Sequence, residues 1–201
     1  TLSSSSAASD VYKRQVVAVQ PRGRISHTDL GLWDDSQIEG LARLAQLIHT
    51  CGAKCTLQLA HAGRKSMVEG DIFAPSAIAH SEQHRTPLEL EIAQIEAIVQ
   101  AFADAARRAI DTGFDCLEIH AAHGYLIHEF LSPLSNRRED RYGGCEENRN
   151  RLLLEIVAAV RDVWPQDRPL IVRLSAEDKA GDGGNHLEVT TRLAQSLKAL
   201  G

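Results

Sequence analysis

Residues 117–144 hold the side chains of this chain that are best suited to chemistry. The stretch reads LEIHAAHGYLIHEFLSPLSNRREDRYGG, in which a short apolar run is followed by His120, His123 and Tyr125 within six positions. Two imidazoles and a phenol can each donate a hydrogen bond, and a phenol can also give a proton to a carbon atom that is gaining negative charge. The segment therefore predicts a site of hydrogen-bond donors and a general acid at the end of a strand.

The same histidines have two alternative interpretations. H-x-x-H spacing is also found in metal sites and among structural histidines, but two ligands do not complete a zinc site. His128 lies nearby, yet the sequence around it lacks the second histidine of a zinc-protease motif. We therefore assign no metal ligand, and a metal-dependent barrel hydrolase that uses His120, His123 and His128 stays open as an alternative.

The composition and charge of the chain argue against several classes of protein. The chain has 201 residues, of which 43% are hydrophobic and 24% are charged, as in one soluble globular domain. A net charge of -5 and a pI of about 6.0 argue against nucleic-acid and membrane-surface partners, because phosphate binding needs a basic face. No apolar run approaches the length that spans a bilayer. The four cysteines lack zinc-ribbon spacing and are predicted to be free thiols of a cytoplasmic protein.

The elements that must position the histidines and the tyrosine repeat as strand, loop and helix. Apolar runs predict buried strands over residues 16–21, 54–59, 115–120 and 170–176. Helical spacing of apolar residues predicts a first helix that includes Ile38 to Ile48 and is closed by Gly52, helices over about residues 92–112 and over 147–164, and a last helix that contains Leu187 to Leu200. Residues 66–90 show no strong period and are predicted to form a long connection. Alternating strands and helices of this kind indicate a parallel sheet.

The position of the polar residues favours a barrel over a doubly wound sheet. Gln58, His120 and Arg173 each lie near the carboxyl end of a predicted strand, which is where (β/α) barrels build their active sites. A doubly wound dinucleotide fold would carry a glycine fingerprint after its first strand, and that position reads PRGRIS. We therefore predict an α/β fold of the TIM-barrel type with about four βα units.

Five stretches resemble the old yellow enzyme family of FMN-dependent oxidoreductases, in particular its bacterial ene-reductase branch. They are RGRIS (22–26), LQLAHAGR (57–64), the histidine stretch (118–144), ENRNRLLLEIVAAVR (147–161) and VRLSA (172–176), in the family's order. The histidine stretch is highly specific, whereas RGRIS and VRLSA are weak alone. The resemblance implies a (β/α)8 barrel of which this chain holds the second to fifth units, with FMN as cofactor and NADPH or NADH as hydride-donating co-substrate.

The resemblance also implies a role for each candidate site residue. Hydride would pass from NAD(P)H through the flavin to the C=C bond of a small α,β-unsaturated carbonyl substrate. His120 and His123 match the hydrogen-bond donors to the carbonyl oxygen of that substrate, and Tyr125 matches the proton donor to its α-carbon. Gln58 matches the glutamine on the flavin pyrimidine edge, and Arg173 matches the arginine beside N1 and the C2 carbonyl of the flavin.

The residues by themselves allow plainer roles for several of these side chains. A glutamine at a strand end is usually a surface residue, and Arg173, inside an apolar strand, needs an anion that Glu118 could supply. The loop after the histidines and the start of the next helix are predicted to be structural. Charge-assisted hydrogen bonds are expected to connect the loop to that helix. These structural residues are Asn136, Arg138, Asp140, Asn148 and Arg151.

The ends of the chain carry their own expectations. Residues 1–15 are Ser-rich without apolar periodicity, and we expect foreign sequence or a disordered tail there, with the partial FMN-dependent barrel domain over residues 16–201. A partial barrel has two open sheet edges, which predicts self-association into a homo-oligomer. A third interpretation is that the chain is a catalytically inert gene fragment.

Overall fold

The structure is a computed structural model that describes residues 12–200, apart from the side chains of residues 12–15 and 182. Its central sheet has four parallel strands, which are β1 (Tyr12–Ala18), β2 (Lys54–Ala60), β5 (Cys116–Ala121) and β6 (Leu170–Leu174). The strand order follows the chain order, β1-β2-β5-β6, without the reversal that defines a doubly wound sheet. The predicted parallel α/β architecture is therefore confirmed.

The first strand differs from its prediction. It runs from Tyr12 to Ala18 and pairs with β2 along its whole length, whereas the apolar pattern placed it at residues 16–21. Backbone pairing does not require apolar side chains, so the strand extends into the segment that we expected to be a tail. The rest of that expectation concerns residues 1–11, which lie outside the described residues.

Helices cover one face of the sheet. They are α1 (Ile38–Thr50), α2 (Ile92–Asp111), α3 (Leu126–Leu131), α4 (Glu146–Arg161) and α5 (Leu187–Lys198). Helices α1, α2, α4 and α5 follow β1, β2, β5 and β6 and pack beside one another in that order. Each of these four agrees with its prediction within a few residues. A sheet with sequential strands and helices on one side curves as an arc, which is the arrangement of a (β/α) barrel.

Side-chain alternation gives each inner strand two different buried faces. On β2 and β5, Leu57, Leu59, Leu117 and Ile119 are completely buried in the core formed with the helices. The residues between them, among which are Gln58, Glu118 and His120, point to the opposite, concave face of the arc. Gln58, Glu118 and His120 are also buried, at 4% exposure or less, so the concave face holds a polar layer.

Two further parts of the chain depart from the sequence-based expectations. Residues 66–90 contain a short parallel pair, β3 (Phe73–Ala74) with β4 (Leu88–Glu89), and Arg85 donates hydrogen bonds from this segment to the Gly70 and Val68 carbonyls. Helix α3 was not predicted, because six residues are too few to show a helical period. No helix among residues 12–200 is both long and apolar enough to cross a membrane.

Candidate active site

A pocket opens at the carboxyl ends of β1, β2 and β5. It brings together four of the five predicted site residues, Gln58, His120, His123 and Tyr125. The remaining lining residues are mostly small or apolar, and they are Val16, Ala18, Gly23, Ile25, Asp29, Leu30, Ala60 and Ala62. The pocket has a cavity volume of about 180 Å³, which is smaller than a typical complete ligand site.

The three ring residues share one wall of this pocket. His120 is a buried residue of β5, and its ring packs edge-to-face with that of His123, with the centroids 5.0 Å apart. The Tyr125 ring also packs edge-to-face with that of His120, at a centroid distance of 5.2 Å. Two imidazoles and a phenol therefore converge within reach of one small molecule.

The turn that carries His123 has a left-handed backbone. His123 has φ of 61° and Gly124 has φ of 70°, a region that glycine adopts freely and other residues rarely do. Three bonds hold the turn in place. The His123 N–H donates to Ser175 Oγ at 3.0 Å, Lys65 Nζ donates to the His123 carbonyl at 2.7 Å, and the Gly124 N–H donates to His128 Nδ1 at 2.7 Å.

His128 links this turn to the loop after β6. Its Nδ1 accepts from Gly124, so in the neutral ring its Nε2 carries the proton and donates to Asp178 Oδ1 at 2.8 Å. Asp178 Oδ2 also accepts from Ser132 Oγ and from the Asn185 N–H. Burial opposes ionisation of Asp178, but these hydrogen bonds outweigh it and lower the pKa of the carboxyl.

The same bonds weaken the metal-hydrolase alternative. Both nitrogens of His128 already have partners, so it is not a free ligand beside His120 and His123. Across the part of the chain that the structure describes, no third histidine, cysteine or carboxylate joins that pair in a metal-ligand group. A zinc hydrolase keeps three protein ligands around its ion, and this arrangement supplies two.

The electrostatic surroundings of Tyr125 keep its phenol protonated. Partial burial, with the nearby Asp29 carboxylate as a smaller cause, raises the pKa of the hydroxyl. Lys65 Nζ lies 5.4 Å from the centroid of the Tyr125 ring. A phenol that is protonated at neutral pH and borders an apolar pocket can act as a proton donor.

Gln58 and Arg173 occupy different positions relative to the pocket. Gln58 lines it, and its amide nitrogen donates to Glu118 on the neighbouring strand. Arg173 lies opposite His120 in the strand register, outside the pocket lining, and its side chain is half-buried. In the strand register Glu118 lies opposite Ile171 rather than Arg173. Among the side chains that the structure describes, none forms a hydrogen bond or ion pair with the Arg173 guanidinium.

Sequence reasoning missed several residues that support the site. Glu129 of α3 is fully buried and accepts from the Arg64 N–H at 3.0 Å. Burial raises the pKa of Glu129 to about 8, although the charges of Arg64 and Lys65 oppose the shift. The glycine in LQLAHAGR (57–64) was a signal in the sequence, since Gly63 has φ of 60° and leaves no room for a side chain against Glu129.

His61 follows β2 and is not among the site residues predicted from the sequence. It is buried, and its Nδ1 accepts from the Gly63 N–H at 3.1 Å. Burial lowers the pKa of His61 to about 4, so the ring is neutral at physiological pH. Its ring packs against Gly23, where a Cβ atom would lie 2.7 Å away. His61 thus fixes the loops after β1 and β2 to each other.

The residues predicted to be structural after the histidine stretch form a dense set of bonds. Arg138 donates to the carbonyls of Pro75 and Leu90 and pairs with Asp140. Asn136 donates to the carbonyls of Phe130 and Tyr142 at 2.8 Å each. These bonds attach the loop after β5 to residues 66–90, and thereby support the rim of the pocket.

The fold and this pocket define a flavin-oxidoreductase barrel, and comparison with known proteins identifies the family. A family profile for FMN-dependent enzymes matches residues 11–201, and it is described as "NADH:flavin oxidoreductase / NADH oxidase family". The chain belongs to this family.

The relatives found with this chain agree with that assignment. An NADPH dehydrogenase of Geobacillus sp. (strain WCH70) is 59% identical over 169 residues, which are 84% of this chain and 49% of the relative. Morphinone reductase in complex with tetrahydroNAD superimposes with a TM-score of 0.82 at 32% identity, over 93% of this chain and 58% of the reductase. The old yellow enzyme homologue from Zymomonas mobilis gives a TM-score of 0.82 at 31% identity, over 94% and 57% of the two chains.

The chain spans about half the length of the curated relatives it matches. High structural similarity to old yellow enzyme barrels over more than nine-tenths of the chain confirms the predicted partial TIM barrel.

The side chains in the pocket suit a flat, polar-edged ring such as that of FMN. Ala18, Ala60 and Ala62 leave open space beside the wall formed by the rings, and Gln58 supplies both a hydrogen-bond donor and an acceptor at its base. Arg173, whose guanidinium is half-buried and has no partner among the described side chains, is next to His120 in the sheet. A partly buried charge is stabilised by an anionic or electron-rich ligand.

Proposed function

We propose that the protein that contains this chain is an FMN-dependent oxidoreductase, an NADPH dehydrogenase of the ene-reductase type. It would transfer hydride from NADPH, or from NADH, to the activated C=C bond of an α,β-unsaturated carbonyl compound. The observation that carries the proposal is the convergence of His120, His123 and Tyr125 on one pocket that Gln58 also lines. Membership in the flavin oxidoreductase family supports the redox part of the proposal.

Gln58 and Arg173 are the residues of this chain that would hold the FMN ring. The Gln58 carboxamide can pair with the alternating donors and acceptors of the pyrimidine edge, and Glu118 fixes its orientation. Arg173 would face the electron-rich side of the ring, where a guanidinium stabilises negative charge. When bound, FMN supplies the chemistry of accepting a hydride from the nicotinamide and donating it to the substrate.

His120 and His123 would bind the carbonyl oxygen of the substrate. As hydride reaches the β-carbon, negative charge accumulates on that oxygen, and donors placed in advance lower the energy of the transition state. The burial of His120 and the bonds that fix the His123 turn preorganise both donors. Such a donor is worth roughly 3 to 4 kcal/mol of transition-state stabilisation.

Tyr125 would donate a proton to the α-carbon. The O–H bond of the phenol breaks, the electron pair of the enolate forms the new C–H bond, and the phenolate then recovers a proton from water. Because the pKa of Tyr125 is raised, the proton is present on the phenol across the neutral range. Apart from Asp29, the remaining wall is small or apolar, so it suits the hydrocarbon part of an enone.

The free thiols are consistent with a reducing compartment, and we place the protein in the cytoplasm on that basis. All four cysteines are free, with Cys55 and Cys116 buried and Cys51 and Cys145 exposed.

An enone turnover assay with purified gene product that contains this chain tests the proposal. We expect FMN-dependent oxidation of NADPH by 2-cyclohexenone, insensitive to chelators, with cyclohexanone as product. His120→Ala and His123→Ala should each lower enone turnover by about 10²- to 10³-fold. His84→Ala is the matched control, because His84 lies in an exposed loop.

Two results would contradict the proposal. One is turnover that His120→Ala and His123→Ala leave unchanged. The other is an activity that is lost on chelation and restored by zinc or manganese, which would favour the hydrolase alternative.

A further inference from the structure

A second group of reactive side chains lies at the opposite end of the sheet. His49 is in the last turn of α1, Cys55 is near the start of β2, and Asp115 directly precedes β5. The three residues come from separate elements, and Asp115 is 60 positions from Cys55. The group therefore corresponds to no short sequence motif. It sits at the amino ends of the strands that present Gln58 and His120 at their carboxyl ends, and it is independent of the proposed function.

The ligand atoms of this group have the spacing of a metal site. His49 Nε2 is 2.7 Å from Asp115 Oδ2, and Cys55 Sγ is 3.6 Å from each of these two atoms. The point in their plane that is equidistant from all three lies about 1.9 Å from each atom. Zinc binds nitrogen and oxygen at about 2.0–2.2 Å and sulfur at about 2.3 Å. An ion slightly out of this plane would therefore reach ordinary bond lengths with only small ligand movements.

The surroundings orient the carboxylate for binding through one oxygen. Lys54 Nζ donates to Asp115 Oδ1 at 2.6 Å, which leaves Oδ2 directed at His49 and Cys55. Partial burial opposes ionisation of Asp115, yet the bonds from Lys54, the Cys55 N–H and His49 outweigh it and hold its pKa well below the usual range. Hydrogen bonds of this kind to a ligand carboxylate are typical supports of a metal site.

A thiol, an imidazole and a carboxylate in contact also resemble the triad of a cysteine hydrolase. That function is disfavoured here because Cys55 is completely buried and no substrate can reach its sulfur. Burial is also the main cause that raises the pKa of Cys55 to about 11, so without a metal the group is a thiol. His49 is partly exposed and gives the group an opening to solvent.

We propose that His49, Cys55 and Asp115 bind one divalent ion of the zinc class, with water as the fourth ligand. A thiolate and an imidazole select zinc or cobalt over magnesium and calcium, and a thiolate with a carboxylate balances the charge of a dication. The ion would fasten the end of α1 to the starts of β2 and β5. Three protein ligands with one open position also leave a place for solvent at the surface of the fold.

Titration of the tag-free 201-residue chain with Co²⁺ tests this site. We expect saturation at one equivalent, with the visible bands of four-coordinate cobalt and a near-ultraviolet band from sulfur to cobalt, both displaced by Zn²⁺. Cys55→Ser should abolish the sulfur band, and His49→Gln should weaken Co²⁺ binding roughly tenfold or more. Cys51→Ser is the matched control because Cys51 is an exposed thiol four residues away, and it should leave the spectrum unchanged.

A thermal measurement gives a second readout that does not depend on colour. Saturating Zn²⁺ should raise the melting temperature of the wild type by about 5 °C and leave that of Cys55→Ser unchanged. The loop residues His80 and His84, whose rings are 4.9 Å apart, are the main competing ligands, and His84→Gln should leave both readouts intact. Circular dichroism establishes that each variant is folded.

Three outcomes would overturn the proposal. They are the absence of a sulfur band at one equivalent of Co²⁺, a band that persists in Cys55→Ser, and binding that is lost in His84→Gln.

Discussion

At the scale of single residues, burial decides which groups of the site carry protons. It keeps Tyr125 protonated and His61 neutral, and it raises the pKa of Glu129 to about 8. Tyr125 is thereby suited to donate a proton, while His61 and Glu129 hold the loops around it without charge. Burial thus keeps the proton that the proposed reaction needs on Tyr125, and it keeps His61 and Glu129 uncharged in their structural positions.

The buried carboxyl of Glu129 predicts a pH-dependent stability. Its pKa is about 8 in the folded chain and about 4.3 in an unfolded one. The folded state therefore favours the protonated acid, so this contribution to stability is full below about pH 4 and is lost as the pH rises through 8. Relative to Glu129→Gln, the free energy of unfolding of the wild type should fall between pH 5 and 9, by on the order of a few kcal/mol.

Urea unfolding of both proteins across this pH range measures the effect. Glu96→Gln is the control, since Glu96 is exposed on α2, and its difference from the wild type should change little with pH. Parallel stability curves for the wild type and Glu129→Gln would show that Glu129 titrates normally in the folded chain.

At the scale of elements, helix length decides what the sequence could predict. Helices α2 and α4 have 20 and 16 residues and present long apolar stripes, which fixed their positions closely. Helix α3 has six residues and no readable period, so Glu129 could not be placed beneath the loop after β2. Strand β1 extends to Tyr12 because its polar half is held by backbone bonds, which leave no apolar signal.

The close approach of α3 to the loop after β2 predicts an unequal effect of two glycine substitutions. Gly63 and Gly70 both have positive φ, 60° and 85°, so alanine strains the backbone at either position. A Cβ at Gly63 would overlap the Glu129 carboxylate, whereas one at Gly70 would meet no atom within 4 Å. Gly63→Ala should therefore lower the free energy of unfolding by at least about 2 kcal/mol more than Gly70→Ala does.

Urea denaturation of the two variants side by side provides the measurement. Equal losses of stability would mean that only backbone strain destabilises the two variants, and that α3 does not pack closely against the loop after β2.

At the scale of the whole molecule, the strand order and the carboxyl-end position of the site could be predicted, but the full set of neighbours could not. Three predicted strands end in polar residues, which are Gln58, His120 and Arg173. Because parallel strands align their carboxyl ends at one edge of the sheet, these residues could be predicted to lie at the same edge. The roles of Lys65, Ser175 and Asp178 depend on loops from distant parts of the chain. His49, Cys55 and Asp115 likewise meet only after three elements are packed, and no spacing rule covers them.

The open edge of the sheet at β6 predicts self-association of the 201-residue chain. Within the described residues, β6 pairs on one side only and exposes Ile171 by 39%, whereas the outer edge of β1 is bridged at Ala18 by Gly31. Unpaired backbone groups beside exposed apolar side chains favour association. Light scattering after gel filtration should show dimers or larger species that decrease on dilution, and Ile171→Lys should reduce them.

Leu47→Lys is the control for Ile171→Lys. Leu47 is 65% exposed on α1, away from the sheet edges, and its substitution should leave association unchanged. A monomer at every concentration, or equal effects of the two lysines, would argue against edge-driven assembly.

We propose that His120, His123 and Tyr125 support the reduction of enones by the bound flavin, with Tyr125 as the proton donor. Anaerobic stopped-flow kinetics of Tyr125→Phe, in FMN-loaded protein that contains this chain, separate the two half-reactions. NADPH should reduce the flavin at the wild-type rate, because that step needs no proton donor to carbon. Reoxidation of the reduced flavin by 2-cyclohexenone should slow by about 10²- to 10⁴-fold. Reoxidation at the wild-type rate would show that Tyr125 is not the proton donor.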